Sequence, residues 1–94
     1  MSKANEDVQA ELERARGKFP AFRSAHEGIA IIREEYLELE REVFWGPTSA
    51  DQFTLFGGDP SPAERRMRLM RAEAVQLAAM ALRFIEDVCD WGEG

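Results

Sequence analysis

The sequence predicts an all-α protein, a helical bundle of three main helices that is completed by homo-oligomerisation. Apolar residues recur at three- and four-residue spacing in three stretches, and no stretch alternates as a half-buried strand does. Two of these stretches open on sequences that match a helix capping box. The 94 residues suffice for a single domain, 1–94, which buries only about 60% of its unfolded surface. Such a small core favours pairing with another copy of the chain.

The first two helices have separate start and stop signals. An N-terminal helix is predicted within 1–20, and Pro20 ends it. Its apolar stripe consists of Val8, Leu12, Ala15 and Phe19. The second helix is predicted over 22–44, where Ser24 and Glu27 have the spacing of a capping box.

The third helix, predicted over 61–90, has the clearest start. Ser61 is a capping residue, Pro62 suits the first helical position, and Glu64 completes a second capping box. Between the second and third helices, residues 45–60 are rich in Gly, Pro, Asp, Ser and Thr and are predicted to form a loop. This loop is long for a connection between bundled helices, which makes it a candidate functional loop.

Three aromatic residues, Trp45, Phe53 and Phe56, fall in this loop. One interpretation is that they stack on a nucleobase or close a lid over a bound ligand. The other, which is the commoner role for such residues, is that they cover the end of the bundle.

Composition narrows the range of functions. The formal net charge of −6 argues against binding to nucleic-acid backbones, because such binding relies on Lys and Arg. Cys89 is the single cysteine, so neither an internal disulfide nor a cysteine-rich zinc site is expected. No apolar run approaches the ~20 residues of a membrane span, and the N-terminus shows no signal peptide. We therefore predict a cytoplasmic protein that binds neither nucleic acid nor membrane.

An acidic face on the second helix is the first candidate site. Glu38 lies three positions after Glu35 and four after Glu34, which places its side chain one turn from theirs on the same face. Carboxylates held this close repel one another unless a cation neutralises them, and Mg²⁺ prefers such oxygen ligands. In a chain with 18 acidic residues a chance cluster on a solvated face is the alternative, and it is favoured while this helix is considered alone.

The third helix strengthens the case for a site. Glu73 and Gln76 lie three residues apart within a largely apolar run, and burying Glu73 is costly unless it is paired or bound to a metal. Arg83 lies on the same face and Asp87 follows one turn later. A mutual salt bridge between Arg83 and Asp87 is slightly favoured. The alternative is that Arg83 binds a substrate phosphate.

The pattern Glu34-Glu35-x-x-Glu38, followed by Glu73 and a polar residue three positions later, resembles a known family. It resembles the MazG-like all-α nucleoside triphosphate pyrophosphohydrolases, whose signature is EExxE followed by ExxD. The resemblance covers about residues 22–88. It implies a four-helix bundle core built by a homodimer or tetramer. It also implies hydrolysis of a nucleoside triphosphate to the monophosphate and pyrophosphate.

The resemblance also implies roles for individual residues. Glu34 matches the position that orients or deprotonates the attacking water. The metal-binding positions, for Mg²⁺ with Mn²⁺ as an alternative, correspond to Glu35, Glu38, Glu73 and Gln76. Apart from the resemblance, the residues themselves make Arg83, Asp87 and Trp45 candidates for substrate binding.

The chain departs from the family pattern in two ways. Gln76 stands where the family usually has Asp, and it offers one neutral oxygen but no charge. The separation between Glu38 and Glu73 also looks longer than usual. Two alternatives to an active enzyme therefore stay open. One is a catalytically weak or inactive module that binds a nucleotide or a protein partner, and the other is a structural dimer with a solvated acidic face.

Overall fold

A computed structural model of the chain describes residues 2–45 and 62–90. These residues form three α-helices, α1 (Lys3–Lys18), α2 (Ala25–Trp45) and α3 (Pro62–Phe84), followed by a π-helical turn at Ile85–Cys89. The predicted all-α class is confirmed, since the described part of the chain contains no strand. The predicted loop beyond Trp45 lies outside the described residues. The sequence predicts a third helix that runs to position 90. In the structure α3 ends at Phe84, and the chain continues as the wider π-helical turn Ile85–Cys89.

Two serines determine where α1 and α2 begin. Ser2 Oγ accepts a hydrogen bond from the backbone N–H of Asn5 at 3.2 Å, so α1 begins earlier than its apolar stripe suggests. Ser24 Oγ accepts from the N–H of Glu27 at 3.0 Å, as the capping box predicts. The reciprocal bond differs, because Glu27 Oε1 accepts from the N–H of Arg23 at 2.7 Å rather than from Ser24.

The core lies where α3 packs against both α1 and α2. It consists of Leu12, Ala15, Phe22, Ala79 and Met80. Apolar side chains packed around it are Val8, Ile31, Ile32, Leu82, Phe84 and Val88. The apolar stripe of α1 therefore faces the core as predicted, except at its end, where Phe19 is exposed.

Much apolar surface stays outside this core. Ile29 and Leu37 on α2 are 55% and 43% exposed, and Met67 on α3 is 65% exposed. The radius of gyration of the Cα atoms is 16.3 Å, whereas a compact domain of this length has about 12 Å. Among the described helices, none combines the length and the apolar character needed to span a membrane.

Candidate metal centre and adjoining cavity

Three glutamates from two helices converge at one place on the bundle. Glu35 and Glu38 come from α2 and Glu73 comes from α3, and one carboxylate oxygen of each lies within 4.8 Å of the others. The three-residue spacing on α2 presents Glu35 and Glu38 to the same side, and the packing of α2 on α3 brings Glu73 to them. Glu35 and Glu73 are partly buried, and Glu38 is exposed. We call these three residues the carboxylate cluster.

Two members of this cluster and one neighbouring glutamate have buried oxygens to which no described residue donates a hydrogen bond. Oε2 of Glu35 and Oε2 of Glu73 are buried and accept no hydrogen bond from the described residues. Oε2 of Glu42, one turn beyond Glu38 on α2, is in the same condition. Buried polar atoms in folded proteins nearly always have a partner, because an unpaired one costs free energy. The EExxE motif does not include Glu42, although its four-residue spacing from Glu38 continues the acidic face.

The electrostatics of the carboxylate cluster favour holding a proton at neutral pH. Burial raises the pKa of Glu73 to about 7, together with a side-chain hydrogen bond to Glu38 and the charges of Glu38, Glu35 and Glu42. Burial also raises the pKa of Glu35, with the nearby charge of Glu38 as the next cause. A cation placed among these carboxylates would relieve the same repulsion that the proton relieves.

The donor set of the cluster fits a hard divalent cation. All three donors are carboxylate oxygens, which Mg²⁺ and Mn²⁺ prefer over nitrogen and sulfur. Oxygens on opposite sides of a Mg²⁺ ion lie about 4 Å apart. The 4.8 Å spread of the cluster is close to that separation, so the three residues fit an ion of this kind.

A cavity of about 380 Å³ adjoins the carboxylate cluster. It lies between α1, the connection from α1 to α2, α2 itself and α3. Its apolar wall includes Ala15, Phe22, Ile31 and Met80. Glu34, Glu35 and Gln76 form a polar wall. Because Glu35 belongs to both the cavity and the cluster, a ligand in the cavity lies beside the carboxylates.

Arg83 holds another wall of this cavity in place. Its side chain is only 2% exposed, and it donates hydrogen bonds to the carbonyl oxygens of Phe19, at 3.0 Å, and Pro20. Its guanidinium carbon lies 4.7 Å from the centre of the Phe22 ring, and its Nε lies 3.4 Å from Asp87 Oδ2. The predicted salt bridge between Arg83 and Asp87 is confirmed. The role of Arg83 at a substrate phosphate stays a prediction.

Asp87 extends this wall to α1. Its Oδ2 accepts the backbone N–H of Phe22 at 3.0 Å, and its Oδ1 lies 3.1 Å from Arg16 Nη1. Burial raises the pKa of Asp87, but the hydrogen bond from Phe22 and the charges of Arg16 and Arg83 outweigh it and leave the pKa below its ordinary value. Asp87 therefore stays ionised, and its substrate-binding role stays a prediction.

Two of the remaining predicted site residues line the cavity, and the third, Trp45, lies at the end of α2. Glu34 is exposed and lines the cavity next to Glu35. Gln76 is partly buried and lines the same cavity, one turn after Glu73 on α3. Trp45 is the last described residue of α2, and its side chain lies outside the description, as do Phe53 and Phe56.

Comparisons of the chain with protein families, with curated proteins and with solved structures found no match. The resemblance to the MazG-like family therefore rests on the two glutamate motifs alone and stays a prediction. The geometry of the carboxylate cluster and its cavity is the basis on which a function can be argued.

Proposed function

We propose that this protein is a Mg²⁺-dependent nucleoside triphosphate pyrophosphohydrolase of the MazG-like type, with Mn²⁺ as an alternative ion. The observation that carries the proposal is the convergence of Glu35, Glu38 and Glu73 within 4.8 Å beside a cavity. Chance acidic residues on a helix surface rarely include buried oxygens like Oε2 of Glu35 and of Glu73, to which nothing in the described part of the chain donates a hydrogen bond.

The three carboxylates hold the metal in this proposal, and a water is activated beside them. A bound Mg²⁺ supplies positive charge that offsets the charge of the phosphates. Glu34 lines the cavity next to Glu35, and in this proposal it accepts a proton from the attacking water. The water oxygen bonds to the α-phosphorus, and the bond from that phosphorus to the α–β bridging oxygen breaks. The products are the monophosphate and pyrophosphate.

Self-association as a homodimer or tetramer is part of the proposal. The exposed apolar residues Ile29, Leu37 and Met67 and the elongated shape of one chain support it, because a second copy would bury this surface. Leu37→Glu should shift the protein towards monomer in sedimentation-velocity runs. A wild-type protein that stays monomeric across the accessible concentrations would contradict this part. A cytoplasmic location, where nucleoside triphosphates and Mg²⁺ are available, fits the same activity.

One alternative function retains the same site without catalysis. Gln76 favours it, because a neutral amide in place of a carboxylate leaves less negative charge to hold Mg²⁺. The protein would then bind a nucleotide, or a protein partner, without turnover. Calorimetry with a triphosphate would detect binding in a sample that releases no pyrophosphate.

The test of the main proposal is pyrophosphate release from a panel of ribonucleoside and deoxyribonucleoside triphosphates, with Mg²⁺ and with Mn²⁺. We expect turnover by the wild-type protein and a fall to background in Glu38→Gln, which removes one charge from the cluster. Glu40→Gln is the matched control, since Glu40 lies on the same helix and accepts from the Tyr36 hydroxyl at 3.4 Å. Background release with every nucleotide and both ions would rule the activity out.

A further inference from the structure

One side of α2 turns away from the rest of the bundle and exposes large apolar side chains. At about 100° per residue, six positions of this helix fall within a sector about 100° wide. The centre of this sector lies about 150° from Glu35, whose carboxylate meets Glu73 of α3. We call the six residues the outer face of α2, and they are Ile29, Arg33, Tyr36, Leu37, Glu40 and Phe44. The four apolar members are between 43% and 68% exposed, so the bundle leaves this face open.

The outer face has a symmetric order along the helix, with its midpoint between Tyr36 and Leu37. At equal distances on either side of the midpoint, an apolar residue mirrors an apolar one and a basic residue mirrors an acidic one. The mirrored pairs are Tyr36 with Leu37, Arg33 with Glu40, and Ile29 with Phe44. A helix face with this order is complementary to itself, because a second copy turned about a two-fold axis presents each residue level with its mirrored counterpart.

The two charged members of the outer face are open to a partner. The side chain of Arg33 makes no hydrogen bond or ion pair within residues 2–45 and 62–90. Glu40 accepts from the Tyr36 hydroxyl through Oε2 at 3.4 Å, and its Oε1 has no partner in the same residues. Arginine and aromatic side chains are enriched at protein interfaces, and an arginine among apolar side chains is a typical anchor there.

We propose that the outer face of α2 binds the outer face of a second copy of the chain, with the two helices antiparallel and the two-fold axis at the midpoint. Arg33 of each copy then lies level with Glu40 of the other copy, about 5 Å along the helix from the axis. The apolar members meet at the midpoint and beyond these ion pairs. The inference rests on the proposed function for the self-association that it contains, and it uses nothing from the activity.

The charges select this arrangement over its neighbours. A parallel pair would place Arg33 beside Arg33 and Glu40 beside Glu40, so that like charges repel. An antiparallel pair displaced by four residues would bring Glu40 level with Ile29 in one direction and with Leu37 in the other. Of these arrangements, the symmetric one alone pairs both charges and buries apolar side chains against each other.

The carboxylate clusters of both copies stay open in this dimer. Glu35 and Glu38 each leave α2 about 150° from the centre of the outer face. The second copy therefore covers the side of α2 that lies opposite the cluster. A variant that no longer pairs should bind Mg²⁺ as the wild type does, which separates the interface from the metal site.

Sedimentation equilibrium tests the ion pairs. Arg33→Glu sets two carboxylates against each other, Glu40→Arg sets two guanidinium groups against each other, and we expect each variant to weaken the dimer by about tenfold or more. An equimolar mixture of the two variants should recover the wild-type affinity, because opposite charges then meet at both ion pairs. Arg68→Glu, at an exposed position of α3, changes the net charge as Arg33→Glu does and should dimerise like the wild type. Circular dichroism checks that each variant is folded.

Cysteine cross-linking tests the orientation in a Cys89→Ser protein, which lacks the exposed natural thiol. The two copies of Leu37→Cys lie beside the axis, so a mild oxidant should link them. Position 29 of one copy lies level with position 44 of the other, so the two copies of Ile29→Cys are 15 positions apart, about 22 Å along the helix. They should stay unlinked, whereas a parallel pair would link them.

Three outcomes would overturn the inference: a wild-type dimer that Arg33→Glu does not weaken, a mixture that pairs no better than its components, or cross-linking of Ile29→Cys. A wild type that stays monomeric would overturn it together with the proposed self-association. Pyrophosphate release is a separate measurement. Its absence from a protein that pairs as described contradicts the activity and leaves the interface standing.

Discussion

Gly28 of α2 lies directly against the ring of Phe84 of α3. A Cβ atom at Gly28 would lie 2.5 Å from Phe84 Cδ2 and 2.9 Å from Cε2, and 3.1 Å from Cδ2 of Phe22. The two distances to Phe84 are shorter than real Cβ contacts, so the absent side chain is what lets the two helices approach here. Glu35 lies two turns further along α2, so this contact helps to set the spacing between Glu35 and Glu73.

The first prediction is that Gly28→Ala destabilises the protein although alanine is the better helix former. Overpacking costs about 1–3 kcal/mol, whereas the gain in helix propensity is about 1 kcal/mol. We expect a lower urea midpoint for Gly28→Ala, and partial recovery when Phe84→Leu is added. Gly17→Ala in α1 is the control, because nothing lies within 4 Å of its Cβ, and it should be neutral or slightly stabilising. A Gly28→Ala protein as stable as the wild type would show that Phe84 moves freely.

The fold could be predicted to the level of its helices, because caps and apolar periodicity are local signals. Ser24 caps α2 through the N–H of Glu27, as its spacing predicts. The close approach of Gly28 to Phe84 could not be predicted, since it depends on how two helices distant in sequence pack. The π-helical turn at Ile85–Cys89 has no counterpart in the apolar pattern either.

The sequence predicts that the three carboxylates lie close together, but it does not predict the groups that surround them. Glu35, Glu38 and Glu73 converge, as the two motifs together suggest. Helical spacing places Glu42 on the same acidic face, but the EExxE pattern ends at Glu38 and therefore does not include Glu42 among the metal ligands. The cavity depends on the position of the connection after α1, which Arg83 holds through two backbone carbonyl groups. Every residue type has such a carbonyl, so the sequence gives no signal for these contacts.

The second prediction concerns Arg83, whose loss should destabilise the fold more than the loss of any exposed arginine. Arg83→Met retains apolar bulk but leaves Asp87 without one of its partners and the carbonyls of Phe19 and Pro20 without a donor. Breaking a buried pair of this kind costs about 3–5 kcal/mol, the lower end applying here because Arg16 also contacts Asp87. Chemical denaturation measures the loss.

Two further variants sharpen the test of Arg83. Arg83→Lys retains the charge, but its ammonium is a single point and does not span from the two carbonyls, which Nη2 of the guanidinium contacts, to Asp87, which lies beside Nε. We therefore expect it to recover only part of the lost stability. Lys3→Ala removes an exposed pair with Asp7 and should leave the urea midpoint unchanged. Equal effects of Lys3→Ala and Arg83→Met would contradict a structural role for the buried guanidinium.

The third prediction is that Glu42 contributes to metal binding although the sequence motif omits it. Its Oε2 is buried and has no hydrogen-bond partner within residues 2–45 and 62–90, and its charge helps to raise the pKa of Glu73. Glu42→Gln removes that charge, so Mg²⁺ should bind several-fold more weakly, as measured by calorimetry. Glu40→Gln on the same helix should bind Mg²⁺ like the wild type. The idea fails if both variants bind the ion equally well.

The last prediction is an opposite response of stability to pH in the presence and absence of Mg²⁺. The pKa of Glu73 rises from 4.5 to about 7 in the folded protein, chiefly through burial. A raised folded-state pKa gives stability that is fully present below about pH 4.5 and is lost as the pH rises through about 7. The metal-free protein should therefore melt at lower temperature at pH 8 than at pH 5. The pKa of Asp87 is lowered from 3.8, so its contribution to stability is constant between pH 5 and 8 and is lost only at more acidic pH.

Mg²⁺ should oppose this loss of stability at higher pH, because it binds the ionised form of the carboxylates and competes with the proton for them. We expect the increase in melting temperature caused by Mg²⁺, relative to EDTA, to be small at pH 5 and to grow up to pH 8. Glu73→Gln cannot ionise at this position, so it should flatten the metal-free trend between pH 5 and 8 and reduce the effect of Mg²⁺. An increase that is the same at every pH, or the same in Glu73→Gln, would mean that the ion binds elsewhere on the chain.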